Sequence, residues 1–484
     1  MNKMKLISKY NNLPIPARAS LWFVVCSILQ KGLALLTVPI FTRIMTTEQY
    51  GLYSTFVSWY GVTIIFTSLS LYYGVFNNAM VKFQSDRNAY ISSMQGLCMT
   101  LTLGFFLVYL IFKDSLNRMV GMSTCLVVLL FVKLFFAPSM EFWLVRNRFE
   151  FKYKKVVFVT LTQAVVGTIV GIVAVYFSEN KDIARIITWV LVDTLFCLVI
   201  FTIQQVKGHK IFIKEYWIYA LGFNLPLIPH YLSGVILSQG DRIMIVSYCG
   251  PSDVAFYSVA YSIGILINII ISAVNASVTP WMYEKMKGGN FADIKKNMNL
   301  LCIGMLVIIT ALILFAPEAL RIIAASEYEE AVYVIPPVAT STLFTFMYNL
   351  FANVEFYFGE RKYVSIGSIS AAVLNIGLNA IFIPIFGYIA AAYTTLFCYV
   401  IYGLSHLWFS KIVLKNNEIK NDAFDTKNII IISLVSIIAT VFSSMLYSFD
   451  YLRYVLIFIL MFLLRKKTKS FCMNLKNRRI SDKN

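Results

Sequence analysis

Three ionisable residues stand where an apolar helix would remove them from water: Lys31 within 17–41, Lys133 within 119–145 and Asp193 within 184–206. A charge at bilayer depth is costly unless it faces a wet cavity or an opposite charge, so each marks a candidate substrate or ion site. Lys31, near the middle of its stretch, is expected to face a cavity. A positively biased interior in the first half of the chain suits an anionic group such as a pyrophosphate. Asp193 is placed either to neutralise Lys133 or to carry a coupling proton. The second half offers His230 and amides, with no acid or lysine expected at mid-span; Asp241 and Arg242 flank the outer end of its first span.

Uncharged polar residues recur at helical spacing and would bond sugar hydroxyls. Ser20, Ser27, Lys31 and Ala34 share one face, as do Thr63, Thr67, Ser70 and Gly74. The longest stripe runs Tyr261, Gly264, Asn268, Ser272, Asn275, Thr279. Two more follow: Thr342, Thr345, Asn349, Asn353, and Ser368, Ala372, Asn375, Asn379. Such residues also glue helices together in membranes, but five long stripes favour a hydrated interior. The candidate substrate contacts are therefore Lys31, Arg43, Lys133, Asp193, Arg242, Asn268, Ser272, Asn275, Asn349 and Asn375, with Asp193 and Asp241 as candidate coupling groups.

The elements that must position these residues are membrane helices. The chain is 59% hydrophobic and 14% charged, with a mean hydropathy of +0.72, far from a soluble domain. Apolar runs predict about fourteen spans: 17–41, 52–76, 90–112, 119–145, 154–177, 184–206, 216–239, 253–280, 297–317, 331–355, 362–384, 387–410, 428–447 and 451–464. The fold class is thus an all-α integral membrane protein.

The net charge of +18 is distributed by topology and does not point to nucleic acid. With the N-terminus inside, 32 of the 42 Lys and Arg fall in cytoplasmic segments and 8 in outer loops. That asymmetry predicts cytoplasmic N- and C-termini. The basic tail beginning RKKTK is then a topology anchor near anionic lipid. The first apolar run is too long for a signal-peptide core and reads as a retained helix.

Other chemistries find no foothold. Cys26, Cys98, Cys125, Cys197, Cys249, Cys302, Cys398 and Cys472 show no CxxC spacing, and His209, His230 and His406 are scattered, so neither a disulfide framework nor a metal site is expected. No nucleophile elbow, phosphate loop or outer domain is present to support catalysis. Proton or sodium coupling stays open, and no other cofactor is implied.

A repeat supports a two-lobed transporter. Arg43-Ile44-Met45 with Tyr53-Ser54 is echoed by Arg242-Ile243-Met244 with Tyr257-Ser258. Repeated halves with a site between them are a common transporter plan. The expected domains are an N-terminal lobe over 1–206, a basic cytoplasmic linker over 207–215, a C-terminal lobe over 216–410, and two further helices with a tail over 411–484. Asn224-Leu225-Pro226 through Pro229-His230 should bend or unwind the seventh span.

The stretch from Ala17 to Ser54 resembles the first helix and loop of Wzx-type polysaccharide flippases, in the superfamily that also holds multidrug antiporters and lipid II flippases. It shares a lysine inside helix one, Pro39 and Arg43 at its outer end, and Tyr50-Gly51 before helix two. The run from Asn224-Leu225-Pro226 through Asp241-Arg242 to Tyr257-Ser258 is similar too. The resemblance implies two pseudo-symmetric six-helix lobes around a central cavity and two extra C-terminal helices. It implies translocation of an undecaprenyl-pyrophosphate-linked oligosaccharide across the bacterial inner membrane, without enzymatic chemistry. Membrane lipids, a polysaccharide polymerase and a chain-length regulator are the implied partners. Lys31 in helix one has the wrong sign for a cationic-drug antiporter, and short outer loops disfavour the other alternative, a membrane polymerase or ligase. Whether the glycan is O-antigen, capsule or another polymer is not written in Ser, Thr and Asn stripes.

Overall fold

A computed structural model describes residues 14–419 and 421–458. Cys472, the basic tail, the extreme N-terminus and residues 459–464 of the predicted last span lie outside the described residues.

The described chain is helical, with no strand among the described residues. Its principal elements are α1 (Ile15–Ile44), α2 (Thr47–Ser68), α3 (Gly74–Lys82), α4 (Arg87–Ile111), α5 (Lys113–Val120), α6 (Thr124–Phe149), α7 (Tyr153–Phe177) and α8 (Lys181–Gly208). There follow α9 (Lys214–Tyr248), α10 (Pro251–Lys287), α11 (Phe291–Leu314), α12 (Ala316–Ile323), α13 (Ser326–Tyr357), α14 (Arg361–Phe386), α15 (Tyr388–Asn416) and α16 (Thr426–Leu446). Twelve of these helices are long and apolar enough to cross a membrane. They bear outward side chains such as Phe158 (71% exposed) and Ile438 (64%), as lipid-facing surfaces require. The protein is a multi-pass membrane protein.

Local chemistry sets the helix ends. Thr46 and Gln49 close a capping box at α2, each side chain bonding the other's backbone N–H. Pro16 opens α1, where its missing N–H leaves no helical bond unmade.

Three of the predicted spans depart from regular helix at positions that bear on the polar stripes. The predicted second span, 52–76, is broken: α2 ends at Ser68, and Leu69 and Ser70 take positive φ of 47° and 50°. Asn224 Nδ2 donates to the carbonyls of both, at 2.8 and 3.0 Å, stabilising the turn. Ser70 and Gly74 therefore do not extend the stripe of Thr63 and Thr67. As the Asn224–His230 cluster predicts, α9 loosens, with a 3-10 turn at Leu225–Leu227; a π segment follows at Ile236–Gly240. A third break, the 3-10 turn Ile265–Ile267, interrupts α10 and its stripe.

Contacts group the chain into two units. The first runs to Ser262 and includes Ile323–Tyr328 and Glu360–Cys398; the second holds Ile263–Ile322, Glu329–Gly359 and the chain from Tyr399. In the first, α8 packs between α6 and α7, and α1 lies on α7. Phe56, Leu130, Leu134, Ile186 and Val190 form one of its cores. The basic linker is bonded into this unit: Ile213 N–H donates to Ser93 Oγ, and Trp217 Nε1 to the Ser93 carbonyl, each at 3.0 Å. In the second unit α11, α13 and α16 pack together, with the later part of α10 on α13.

Candidate functional site

The first unit encloses a cavity of about 440 Å³ between α1, α2, α7 and α8. From α8 come Arg185, Trp189 and Asp193, spaced four residues apart and so stacked on one helix face. From α7 come Thr160, Gln163, Gly167 and Thr168; Tyr50 and Tyr53 come from α2, and Gln30, Ala34 and Thr37 from α1.

Charge in this cavity is unevenly neutralised. Asp193 accepts a hydrogen bond from the Lys133 ammonium, and Gln163 Nε2 donates to its other oxygen at 2.9 Å. Lys133 is buried, its ammonium 3.9 Å from the Trp189 ring centre and 5.0 Å from that of Tyr60. Its charge is thereby spent on a carboxylate and two aromatic faces. Arg185 has no ion-pair partner among the described residues. Its guanidinium sits 4.0 Å from the Phe41 ring centre and 5.0 Å from that of Tyr53, and its buried Nε makes no hydrogen bond there. The net result is a cavity with one uncompensated cation, hydroxyls, an amide and aromatic faces. Such a wall can bind an anionic group and stack or hydrogen-bond a sugar.

Lys31 does not line this cavity. The wall is formed by Gln30 and Ala34 on either side of it, while Lys31 is exposed and makes no ion pair or hydrogen bond among the described residues. Ser20 and Ser27 share that exposed face. Arg43 donates to the Pro39 carbonyl at 2.8 Å and to the Ala324 carbonyl at 3.3 Å, tying the end of α1 to the connection between α12 and α13.

Asp241 centres a second polar cluster of the first unit. It does not flank a helix end: it is fully buried within α9. Tyr257 donates to it, as do Thr395 Oγ1 at 2.8 Å and Asn379 Nδ2 at 2.7 Å. Thr394 completes the network by donating to Asn379 Oδ1, and Asn375 donates to Thr395 at 3.1 Å. Three donors offset part of the desolvation of the carboxylate. The adjacent Arg242 bonds Ser258 at 2.9 Å and the Ser238 carbonyl at 2.8 Å, and lies 4.5 Å from the Tyr261 ring centre. His230 bonds Ser368 at 2.8 Å. The stripe Ser368, Asn375, Asn379 thus serves α9 and α15, its own neighbours.

The remaining predicted contacts fall in the second unit. Asn268 and Asn275 are half-buried and Ser272 exposed; Ser272 donates back to the Asn268 carbonyl at 2.6 Å, while Asn275 Oδ1 accepts no hydrogen bond among the described residues. Asn349 donates to the Thr345 carbonyl at 2.8 Å. Within the first unit the structure brings Lys133 and Asp193 together and places Asn375 in the Asp241 network, while Asn268, Ser272, Asn275 and Asn349 belong to the second unit. Sequence reasoning missed Arg185, Gln163 and Trp189. The signal was the four-residue spacing of Arg185 and Trp189 with Asp193, hidden because Arg185 reads as an outer flanking charge. It also missed Glu355, read as the last residue of the tenth span, which is fully buried. Among the described residues no cluster of His, Cys, Asp and Glu could hold a metal ion.

The model of the family described as polysaccharide biosynthesis protein matches residues 17–286. A curated relative, Lsg locus putative protein 1 of Haemophilus influenzae, is 26% identical over 227 residues, covering 45% of this chain and 57% of that protein. An uncharacterized membrane protein of the same organism is 22% identical over 229 residues, covering 46% and 56%. The matched stretch thus spans somewhat more than half the length of these curated relatives. Among solved structures, the lipid II flippase MurJ in an inward closed conformation superposes with a TM-score of 0.66 at 16% identity, over 92% of this chain and 99% of that one. An inward-facing multidrug resistance transporter of the MATE family, in the MOP superfamily, gives 0.59 at 16% identity, over 83% and 100%. The chain shares its fold with these two proteins.

Proposed function

Because the chain belongs to the polysaccharide biosynthesis protein family, we propose that it is a flippase, moving an undecaprenyl-pyrophosphate-linked oligosaccharide repeat unit from the cytoplasmic to the outer leaflet by alternating access. The observation that carries this reading is Arg185: a cation without a counter-charge on the wall of a cavity whose other polar groups are neutral or already paired. An anionic, hydroxyl-rich ligand complements that wall, whereas a cationic drug meets the wrong sign. Arg185 binds the pyrophosphate, while Gln163, Thr160 and Thr168 bond the first sugar. Lys31, exposed on the adjacent face of α1, supplies a second cation, and the amides of α10 and α13 contact sugars elsewhere on the path.

Transport without covalent chemistry needs an energy source, and a proton or sodium gradient is part of the proposal. Asp193 and Asp241 are the carboxylates assigned to coupling in this proposal, since each sits in a hydrogen-bond network that would rearrange on gaining or losing an ion. The site of action is the bacterial inner membrane, with both termini cytoplasmic, beside a polysaccharide polymerase and chain-length regulator.

Replacement of the gene by variants tests this. Arg185→Ala should stop glycan export and leave lipid-linked repeat units in the cytoplasmic leaflet, with the protein at normal level in the membrane. Arg185→Lys should keep part of the activity, since charge survives while the planar fork is lost. Full export in Arg185→Ala would remove the site, and a deletion strain with no stalled lipid-linked glycan would remove the function.

A further inference from the structure

In the second unit, Glu355 near the end of α13 and His406 within α15 are both fully buried, and His406 Nδ1 lies 2.7 Å from Glu355 Oε1. Their outer atoms, Glu355 Oε2 and His406 Nε2, are buried too and meet no hydrogen-bond partner among the described residues. Tyr348 and Tyr402 pack edge-on against the imidazole, with ring centres at 4.7 and 4.9 Å, and Phe409 lies at 5.6 Å.

We propose that Glu355 and His406 form a proton-binding site, which loads and releases one proton in each transport cycle. A carboxylate and an imidazole within bonding distance are neutral together when they hold one proton between them, and charged when they hold none or two. In a buried setting that difference in charge is expensive, so occupancy of the site biases whichever packing of α13 and α15 best accommodates it. A pair serving only to hold two helices together would have its remaining donor and acceptor satisfied, and here both are left over. Histidine supplies a group able to change charge near neutral pH.

The surroundings leave the pair to set its own charge. On α13 and α15 the neighbouring titratable groups are the phenols of Tyr348, Tyr402 and Tyr399. From α10, Met282 meets Asn353 and Tyr283 meets Tyr357, and Phe424 packs on Phe351. All of these are uncharged at neutral pH, and among the described residues neither member has another ion-pair partner. The site itself needs no assumption about cargo; its part in a cycle rests on the transporter reading.

The test uses the full-length protein in lipid vesicles, with infrared difference spectra taken between about pH 8 and about pH 5, the range over which histidine changes charge. The wild type should show the carbonyl band of a protonated carboxylic acid, absent in Glu355→Gln and displaced in His406→Gln. Melting curves check that each variant is folded, and His406→Asn reads the same band where another variant is not. A band unchanged by these substitutions would overturn the proposal. So would glycan export whose pH profile is the same in wild type and in both variants; flattening of that profile is the expected result. A wild type that keeps the Glu355-dependent band while carrying no lipid-linked glycan would overturn the flippase reading and leave the proton site supported.

Discussion

Gly51 in α2 lies directly against the carbonyl of Pro251 at the start of α10, so closely that a Cβ on the glycine would overlap the oxygen. The neighbouring hydroxyls of Thr47 and Ser252 are 3.2 Å apart. These are the two copies of the repeated Arg-Ile-Met segment and the helix that follows it, and they meet within the first unit. Gly51→Val should therefore lower thermal stability, by about 1–3 kcal/mol for overpacking at a close contact. Gly32→Ala is the control, because no atom lies within 4 Å of its Cβ position; a melt of the purified protein that ranks the two variants equally would contradict the contact.

The Lys133–Asp193 pair makes a prediction about partners. Removing one member leaves the other's charge without its counter-ion, which costs about 3–5 kcal/mol for a buried pair. Lys133→Met should thus melt well below the wild type. The double variant Lys133→Met, Asp193→Leu should recover most of the loss, because no lone charge remains. It should not recover transport if Asp193 is a coupling group. Additive losses in the double variant would show that the pair does not interact.

Helices were legible because apolar runs of membrane length have few alternatives, and the pairing of Lys133 with Asp193 was one of two roles open to an acid in the sixth span with a lysine in the fourth. What could not be read was rotation and depth. Lys31 and Gln30 differ by one residue, yet about 100° of helix turn puts Gln30 on the cavity wall and Lys31 outside it. Glu355 looked like the rim of a span, and only the packing of α13 against its neighbours buries it. The break after Ser68 carries neither Gly nor Pro at the two left-handed positions, and the amide that stabilises it comes from Asn224, far along the chain.

That break predicts two opposite effects. Ser70→Gly should stabilise the protein by up to about 1 kcal/mol, since glycine takes positive φ without the penalty borne by other residues. Asn224→Leu should destabilise it by roughly 1–3 kcal/mol, by stripping two buried carbonyls of their donor. Differential scanning of the purified variants decides both signs. A Ser70→Gly protein less stable than wild type would mean that its hydroxyl, not its backbone, matters there.

Gly171 offers a way to move Arg185 without removing its charge. A Cβ at this position would run into the Arg185 Nη1, so α7 keeps a glycine where the guanidinium lies across it. Gly171→Leu should push the guanidinium off its seat between Phe41 and Tyr53 and away from the cavity. Membrane insertion should be normal, since an apolar residue replaces glycine in an apolar span. Export should fall by about tenfold or more, as misplacing a binding group by about 1 Å costs on the order of a hundredfold in other sites. Gly167→Ala, whose Cβ position meets only Val192 at 3.7 Å, should export normally. Equal export in Gly171→Leu and wild type, measured alongside the Arg185→Ala strain, would mean that the position of the guanidinium is irrelevant and that only its charge, or neither, serves transport.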